Sequence, residues 1–383
     1  MPSSPNSPSS DDNTSEVGRL KRQVVALQDE LEEARGSRTK RSETPVTRGR
    51  GIRRLITLFE SLDGLIAEAD TRILAEKDGV VRFRDQSELK RNADRTFESY
   101  ELLLSLVPPF KTLIQTDADE DTFRQYTASL QKGANDARSD DVRRIKEEIA
   151  VWLNHNNPTA TPLSPKSRDN RGLQNDVTGR LLCPIEHKWD DEKNRADMQN
   201  AVIDISQDFF ITCLYKKGTA DPSDVENGFL RSVLLLKTFC AVFTSPTSSE
   251  DLEEPEDDVP ARKKRKTSSQ KKATKTNVAG LLRMEGKVTP RAIAYAAVLL
   301  VFNLTDATQW TETYNGFNFR AFYNFIVDFF EDTPGAAAQR RANMLLTWWN
   351  SQVFQDQHAP TSSGLKASQD KLLAQRLQRE QDN

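Results

Sequence analysis

The chain has 383 residues, of which 36% are hydrophobic and 29% carry a charge. A fully compact protein is nearer half apolar, so this composition predicts a normal core diluted by polar segments. The formal net charge of −3 excludes a global field that would draw the chain onto nucleic acid or a membrane. The longest apolar run, Ile293 to Phe302, is far shorter than the roughly 18 residues of a membrane span. The N-terminus is rich in Ser and Pro and has no apolar run, so it does not resemble a secretory signal. No membrane is therefore expected as a partner.

The three cysteines, Cys183, Cys213 and Cys240, are widely separated, and no Cys-x-x-Cys pair occurs. This spacing argues against a disulfide framework and favours the reduced thiols of a nuclear or cytosolic protein. Cys183 and His187 are four residues apart and would offer two ligands to zinc on a helix, but a second pair of ligands is lacking nearby. We therefore predict neither a metal site nor a cofactor, and interpret this pair as a buried thiol beside a histidine in a turn.

The N-terminal 35 residues divide into two parts. Residues 1–15 are rich in Ser, Pro, Asn and Asp and are predicted to be disordered. Residues 16–35 place apolar side chains at spacings of three and four, which is typical of a short coiled-coil-like helix, but the seam runs for fewer than about three heptads. The segment is therefore either a homodimer contact or a plain amphipathic helix. The candidate residues for self-association are Leu20, Val24, Leu27 and Leu31.

A basic linker is predicted over residues 36–51, and its positive charge continues into the following segment. The run from Thr47 to Gly51 contains two arginines and two glycines, a combination that could follow phosphates or enter a minor groove. The alternative is a solvated linker or a second import signal. The candidate residues for nucleic-acid contact are Arg38, Lys40, Arg41, Arg48, Arg50, Arg53 and Arg54.

A helical period returns at Ile52 and predicts a helical region over residues 52–154. One apolar stripe runs from Ile52 to Ile66, and a later helix is expected to stop at Pro108-Pro109. A third helix is expected to begin with Asp140 as its N-cap. Its apolar face would carry Val142, Ile145, Ile149, Trp152 and Leu153.

Residues 155–171 contain Asn-Pro, Thr-Pro and Ser-Pro pairs and are predicted to be a linker. A second helical domain is predicted over residues 172–355, and a polar tail with weak helical character over residues 356–383. Alternation of period two never extends beyond a few residues, so the predicted fold class is all-α, a helical bundle. Helices of the second domain are expected from Met198 to Phe209, from Asp224 to Phe243, from Arg291 to Leu304 after a Thr289-Pro290 cap, from Phe319 to Phe330, and after a Thr333-Pro334 cap.

Aromatic residues are concentrated between Phe317 and Phe330 and at Trp348 and Trp349. Such rings can stack on nucleic-acid bases when basic residues are interleaved with them. Here the spacing is helical and Arg320 is the only basic residue among them. We therefore interpret these aromatic residues as core packing.

A disordered insertion is predicted over residues 245–276 of the second domain. Acidic residues between Glu250 and Asp258 are followed by a dense basic cluster, and neither can be buried in a core. A Lys/Arg cluster on an exposed loop is the form that import receptors read, whereas the alternative is a solvated loop without a receptor. We therefore predict that the protein is nuclear and that a nuclear import receptor is a partner. The predicted import signal is Arg262, Lys263, Lys264, Arg265 and Lys266.

Several segments are unlike generic helical sequence. They are Arg171 to Pro184, Trp189-Asp190-Asp191, Ala294 to Ala297 and Phe322 to Val327. Together they resemble an uncharacterised domain family of mushroom-forming basidiomycete fungi over about residues 85–355. The resemblance implies a fungal, all-helical domain, and it implies no reaction because that family has no assigned activity.

Motifs for catalysis are missing from the sequence. No GxSxG, P-loop or GxGxxG motif occurs, and His187 is the only histidine outside polar, linker-like sequence, so we assign no catalytic residue and predict that the chain is not an enzyme. The expected function is that of a non-enzymatic nuclear interaction protein with an unidentified protein partner. The alternative is a nucleic-acid-associated protein, such as a mobile-element accessory, that contacts phosphates through residues 38–54.

Overall fold

The computed structural model describes residues 44–78, 87–116, 119–208, 210–244 and 286–354, together with single positions at 252, 278, 282 and 284. The described chain is mostly helical, and its named strands form one short hairpin. This confirms the predicted all-α fold class. Its strands, Thr313–Tyr314 (β1) and Phe317–Asn318 (β2), pair antiparallel, with Thr313 opposite Asn318 and Tyr314 opposite Phe317.

The helices and strands are numbered in chain order. In the N-terminal part they are α1 Pro45–Gly49, α2 Ile52–Leu55, α3 Leu62–Lys77, α4 Ser87–Leu106, α5 Pro108–Gln115 and α6 Glu120–Asn156. In the C-terminal part they are α7 Asp176–Leu182, α8 Glu192–Gln199, α9 Val233–Phe243, α10 Pro290–Leu304, β1 Thr313–Tyr314, β2 Phe317–Asn318, α11 Phe319–Glu331 and α12 Gly335–Val353. Short 3₁₀ turns lie at Gly172–Gln174, Thr212–Leu214 and Lys216–Gly218.

Helix α6 is one continuous element of 37 residues. Its N-cap is Asp119, whose side chain accepts a hydrogen bond from the backbone N–H of Thr122 at 2.9 Å. The prediction that a helix begins at Asp140 was wrong, because that position lies in the middle of α6. The two aspartates at this position instead bind arginines: Asp140 forms an ion pair with Arg50, and Asp141 forms one with Arg54.

Helix α1 crosses α6 at backbone-to-backbone distance. A Cβ atom added at Gly49 would overlap the carbonyl of Leu130, and one added at Gly133 would overlap the carbonyl of Val46. Glycine at these two positions lets the helices approach more closely than any side chain would allow. The predicted basic linker over residues 36–51 therefore contains a helix that is packed against the fold.

Helix α10 is the centre of the molecule. Thr289 caps it by accepting a hydrogen bond from the N–H of Ala292 at 3.2 Å, as the Thr289-Pro290 pair predicted. Every residue from Arg291 to Leu304 is buried, because α2, α6, α9 and α11 pack around it. None of the helices among the described residues is both long and apolar enough to cross a membrane.

One hydrophobic core joins the two helical regions. Ile145 and Ile149 of α6 belong to the same buried cluster as Phe239 of α9 and Phe322 of α11. A smaller cluster beside it packs α3, α4 and α5 together around Leu65, Leu103 and Phe110, among others. Residues 52–154 and 172–354 therefore share a core.

Three further predicted helix boundaries were wrong. Helix α8 ends at Gln199, and Ala201 then adopts a positive φ of 55°, so Val202 is 71% exposed rather than on an apolar helical face. Helix α9 begins after the N-cap Ser232, not at Asp224. Helix α12 follows Pro334, and the side chain of Thr333 does not cap it.

Residues 155–171, predicted as a linker, are fixed by two buried arginines. The guanidinium of Arg168 donates to the carbonyl oxygens of Ala307 and Thr308 and to the side chain of Asn303. Arg171 donates to the carbonyl oxygens of Asn303, Lys146 and Ser164. The carbonyl oxygen of Asn303 lies in the last turn of α10 and carries partial negative charge, which helps to compensate the buried charge of Arg171.

Candidate functional site

The structure describes four of the seven residues predicted to contact nucleic acid. Arg53 and Arg54 are each 5% exposed, which argues against their contact with a phosphate on the surface. Arg50 is half-buried and pairs with Asp140 at 2.8 Å, and Arg48 is half-buried beside it. The other three candidates, Arg38, Lys40 and Arg41, lie outside the described residues.

Arg54 is instead the centre of a buried polar network. Its Nε and Nη2 atoms donate to the two carboxylate oxygens of Asp141, both at 2.8 Å. The hydroxyl of Tyr295 donates to the same carboxylate at 2.9 Å. The hydrogen bonds to Asp141 raise the pKa of Arg54 against the opposing effect of burial. The network joins α2, α6 and α10 and is a structural element rather than a binding surface.

The predicted import signal, Arg262 to Lys266, and the predicted self-association residues, Leu20, Val24, Leu27 and Leu31, lie outside the described residues. The aromatic residues of α11 and α12 can be assessed. Phe319, Phe322 and Trp349 are at most 1% exposed, which confirms that they pack in the core rather than stack on bases.

The pair Cys183 and His187 shows no metal-site geometry. The thiol of Cys183 is buried and contacts the carbonyl oxygens of Pro184 and His187 at 3.4 and 3.5 Å. Burial raises the pKa of this thiol to about 11. Within the described part of the chain, no group of three or more His, Cys, Asp and Glu residues could hold a metal ion.

A surface groove of about 610 Å³ lies between the loop that precedes α9 and the helices α11 and α12. Its lining combines apolar side chains with polar and charged ones. The lining residues are Ser223, Asp224, Val225, Glu226, Asn227, Phe229, Arg231, Phe329, Arg341, Met344 and Leu345.

The floor of the groove is apolar. The rings of Phe229 and Phe329 meet edge to face with centroids 5.5 Å apart, and Leu345 is buried beside them. Met344 is 66% exposed and Phe325, which contacts Phe229, is 40% exposed. Large apolar side chains left open next to a concave surface are typical of sites that bind another molecule.

The charges of the groove are arranged unequally. Arg341 of α12 donates to both carboxylate oxygens of Glu226, at 2.5 and 3.1 Å, and so ties the loop to the helix. Arg231 is half-buried and lies over the ring of Trp348, with its guanidinium carbon 5.3 Å from the ring centroid. Its side chain makes no hydrogen bond or ion pair with another residue of the described chain. Arg231 is thus the groove cation that has no ion-pair partner in the described chain, although the carboxylate of Asp224 also lines the groove.

The loop that forms one wall is built by local interactions. The hydroxyl of Tyr215 donates to the carbonyl oxygen of Val225 at 2.8 Å, and Tyr215 also forms a β-bridge with Phe229. At the end of the loop the indole N–H of Trp349 donates to the carbonyl oxygen of Leu230 at 3.1 Å. The groove was not predicted, because one helix was expected from Asp224 to Phe243, and a helix at residues 224–231 would take the place of the loop that forms the wall. The signal in the sequence was Gly228, because glycine readily adopts the positive φ (78°) that it has in this loop.

Comparison with known proteins identifies a family for this chain. The model of a family described as "Family of unknown function (DUF6698)" matches residues 132–354. Comparison with curated proteins and with solved structures gave no match. The matched range covers α7 to α12, the groove and most of α6, but begins inside α6 and leaves out α1 to α5. Because the match spans more than half of the 383 residues, the chain belongs to the DUF6698 family.

Proposed function

We propose that the protein is a non-enzymatic interaction protein that acts in the nucleus and binds a segment of a partner protein in the groove between residues 223–231 and helices α11 and α12. The observation that carries this proposal is the combination of an open apolar floor with Arg231, which forms no ion pair within the described chain. Nuclear entry through Arg262 to Lys266, and an origin in a mushroom-forming fungus, belong to the same proposal and rest on the sequence alone.

The chemistry of the groove specifies the partner segment. Phe329 and Met344 would take an apolar side chain, and Arg231 would take a carboxylate placed close to it. An arginine that already lies on an indole ring is pre-organised, so its pairing with a carboxylate costs little side-chain entropy. The proposed partner segment is therefore short and acidic, with one large apolar anchor.

Random dodecamer peptides displayed on phage provide a direct test with the full chain as bait. We expect enriched peptides to combine a large apolar residue with Asp or Glu. Synthetic versions of the enriched peptides should bind the Met344→Asp and Arg231→Glu variants at least about tenfold more weakly than the wild type, because each change removes a central contact. The matched control is Val202→Asp, which alters an exposed apolar residue away from the groove lining. No enrichment, or equal loss in the control, would exclude the groove as the binding surface.

The import signal is tested by the localisation of a fluorescent fusion. Changing Arg262, Lys263, Lys264, Arg265 and Lys266 to alanine should move the protein out of the nucleus. A cytoplasmic signal from the unchanged chain would remove the nuclear part of the proposal and leave the groove untouched.

The nucleic-acid alternative is less favoured than this proposal. Two of its seven candidate residues, Arg53 and Arg54, are buried, and Arg50 is paired with Asp140. Because phosphate contact needs exposed cations, the described part of the basic segment supplies little of the charge that this alternative requires.

A further inference from the structure

Two contacts between the loop and helix α12 give the groove a direction. At one end Glu226 of the loop accepts hydrogen bonds from Arg341. At the other end Arg231 lies over the ring of Trp348. Arg341 and Trp348 are seven residues apart on α12, which is about 10 Å along a helix axis. The loop therefore runs beside α12 in the same direction, from Glu226 to Arg231.

The apolar floor lies between these two ends. Met344 and Leu345 occupy the intervening part of α12. Phe229 occupies the intervening part of the loop, and its ring meets Phe329 of α11 edge to face. An apolar side chain bound on this floor would therefore have a charged end of the groove on either side of it.

The two ends carry opposite charge. The carboxylates of Asp224 and Glu226 line the first end together with the guanidinium of Arg341. A turn closed by a hydrogen bond of 3.1 Å from the N–H of Asn227 to the carbonyl oxygen of Asp224 holds the two acidic residues close together. Two carboxylates against one guanidinium leave this end negative among the lining residues. Arg231 makes the second end positive.

Asp224 is the carboxylate that is available to a ligand at the negative end. Glu226 is held by Arg341 at 2.5 and 3.1 Å, so a cation that paired with Glu226 would have to displace Arg341 and release the loop from α12. The side chain of Asp224 is exposed, and it forms no hydrogen bond or ion pair within the described chain. A cation can therefore approach Asp224 without breaking a contact of the fold.

We propose that the groove recognises a segment that carries a basic residue and an acidic residue on opposite sides of its apolar anchor. The basic residue pairs with Asp224 and the acidic residue with Arg231. This inference rests on the proposed function of the groove, to which it adds the cation and the order of the three groups. The two charges of the segment lie about 10 Å apart, or roughly three residues of an extended chain.

The arrangement fixes the direction in which the segment binds. In the reversed direction the basic residue would face Arg231 and the acidic residue would face Asp224. Like charges placed opposite each other oppose binding, so the two ends of the groove select one orientation. The Glu226–Arg341 pair keeps the loop against α12 and so maintains the distance between the ends.

Affinities of three synthetic peptides for the full chain test this inference. The first is the dodecamer that the phage selection enriches most. The second has lysine in place of its acidic residue, and the third has glutamate in place of its basic residue. The wild type should bind the second and third peptides about three- to tenfold more weakly than the first, because like charges then meet at one end.

Reversal of one charge in the protein should restore binding of one changed peptide. Arg231→Glu should restore the second peptide and Asp224→Lys the third. Neither variant should restore the other peptide, because the two ends of the groove are separated. Restored binding also shows that the variant is folded. The matched control is Glu147→Lys, which reverses an exposed charge on α6 outside the groove lining and should leave all three affinities unchanged.

The inference is wrong if the enriched peptides lack a basic residue, or if Asp224→Lys alters binding no more than Glu147→Lys does. It is also wrong if one variant restores both changed peptides, since the ends then have no separate roles. In each of these cases a loss of affinity in Met344→Asp would still support the groove as the binding surface. If no peptide is enriched, or if Met344→Asp binds as well as the wild type, the proposed function is wrong as well.

Discussion

Replacing Asp141 by asparagine should destabilise the fold strongly, because the change leaves Arg54 as a buried cation without a counter-charge. Asp141 is 1% exposed and Arg54 is 5% exposed. Two hydrogen bonds of 2.8 Å join them. We expect Asp141→Asn to lower the free energy of unfolding by about 3–5 kcal/mol, the range for breaking a buried ion pair by removal of one charge.

The neighbouring position provides a matched control. Asp140 pairs with Arg50, but these side chains are 50% and 34% exposed, so solvent screens their interaction. Asp140→Asn should therefore cost less than about 1 kcal/mol. Tyr295→Phe should fall between the two, at about 1.5–3 kcal/mol, because it removes one hydrogen bond to a charged group and keeps the ion pair.

Urea unfolding followed by far-UV circular dichroism measures these differences on the full chain. The double variant Arg54→Met/Asp141→Leu completes this set of variants, because it removes both charges and so avoids the cost of a buried unpaired charge. It should be more stable than Asp141→Asn alone and should retain only the cost of the orphaned Tyr295 hydroxyl. If Asp141→Asn and Asp140→Asn differ by less than about 1 kcal/mol, the network does not stabilise the fold as described.

Three further predictions concern packing, pH and the extent of the domain. Gly133→Ala should cost at least about 1–3 kcal/mol in the same urea experiment, because the new Cβ would overlap the carbonyl of Val46 and force α1 away from α6; unchanged stability would contradict this crossing. Hydrogen bonds from Arg320 hold the pKa of Glu312 below its ordinary value, so this pair contributes stability above the unfolded pKa that is lost as pH falls. Glu312→Gln should therefore lose less stability than wild type between about pH 5 and pH 3. If the two curves of unfolding free energy against pH are parallel, the Glu312–Arg320 pair does not contribute this stability. A fragment of residues 132–354 should unfold without the cooperative transition expected of residues 44–354, since it cuts α6 and leaves Asp141 without Arg54; cooperative unfolding of the shorter fragment would show that α1 to α5 are dispensable.

The helices that could be predicted are those whose signal is local. Thr289-Pro290 identified the start of α10, and Pro108-Pro109 marked the end of α4, because caps and prolines act on neighbouring residues. Asp140 was misinterpreted for the complementary reason. Its neighbour Asp141 binds an arginine 87 positions earlier in the chain, and no local pattern reports such a partner.

The candidate site was harder to predict, because it depends on contacts between distant segments. Glu226 and Arg341 are 115 positions apart, and Arg231 meets Trp348 only after the loop that precedes α9 has packed against α12. Basic residues near position 50 suggested exposed charge, yet Arg53 and Arg54 are buried. Charge density in a sequence does not show whether a carboxylate or a carbonyl oxygen will be folded against it.

The complete burial of α10 has a consequence for synthesis of the protein. The helix occupies residues 290–304 of 383, so most of the surfaces that surround it leave the ribosome first. At a translation rate of about 5–20 residues per second, the apolar face of α9 stays uncovered for several seconds before α10 has been synthesised. The apolar face of α6 stays uncovered for longer. During this interval the nascent chain exposes surface that only a later segment can cover. Products that end before residue 290 should therefore aggregate rather than fold, and the intact chain should depend on chaperones while it is being made.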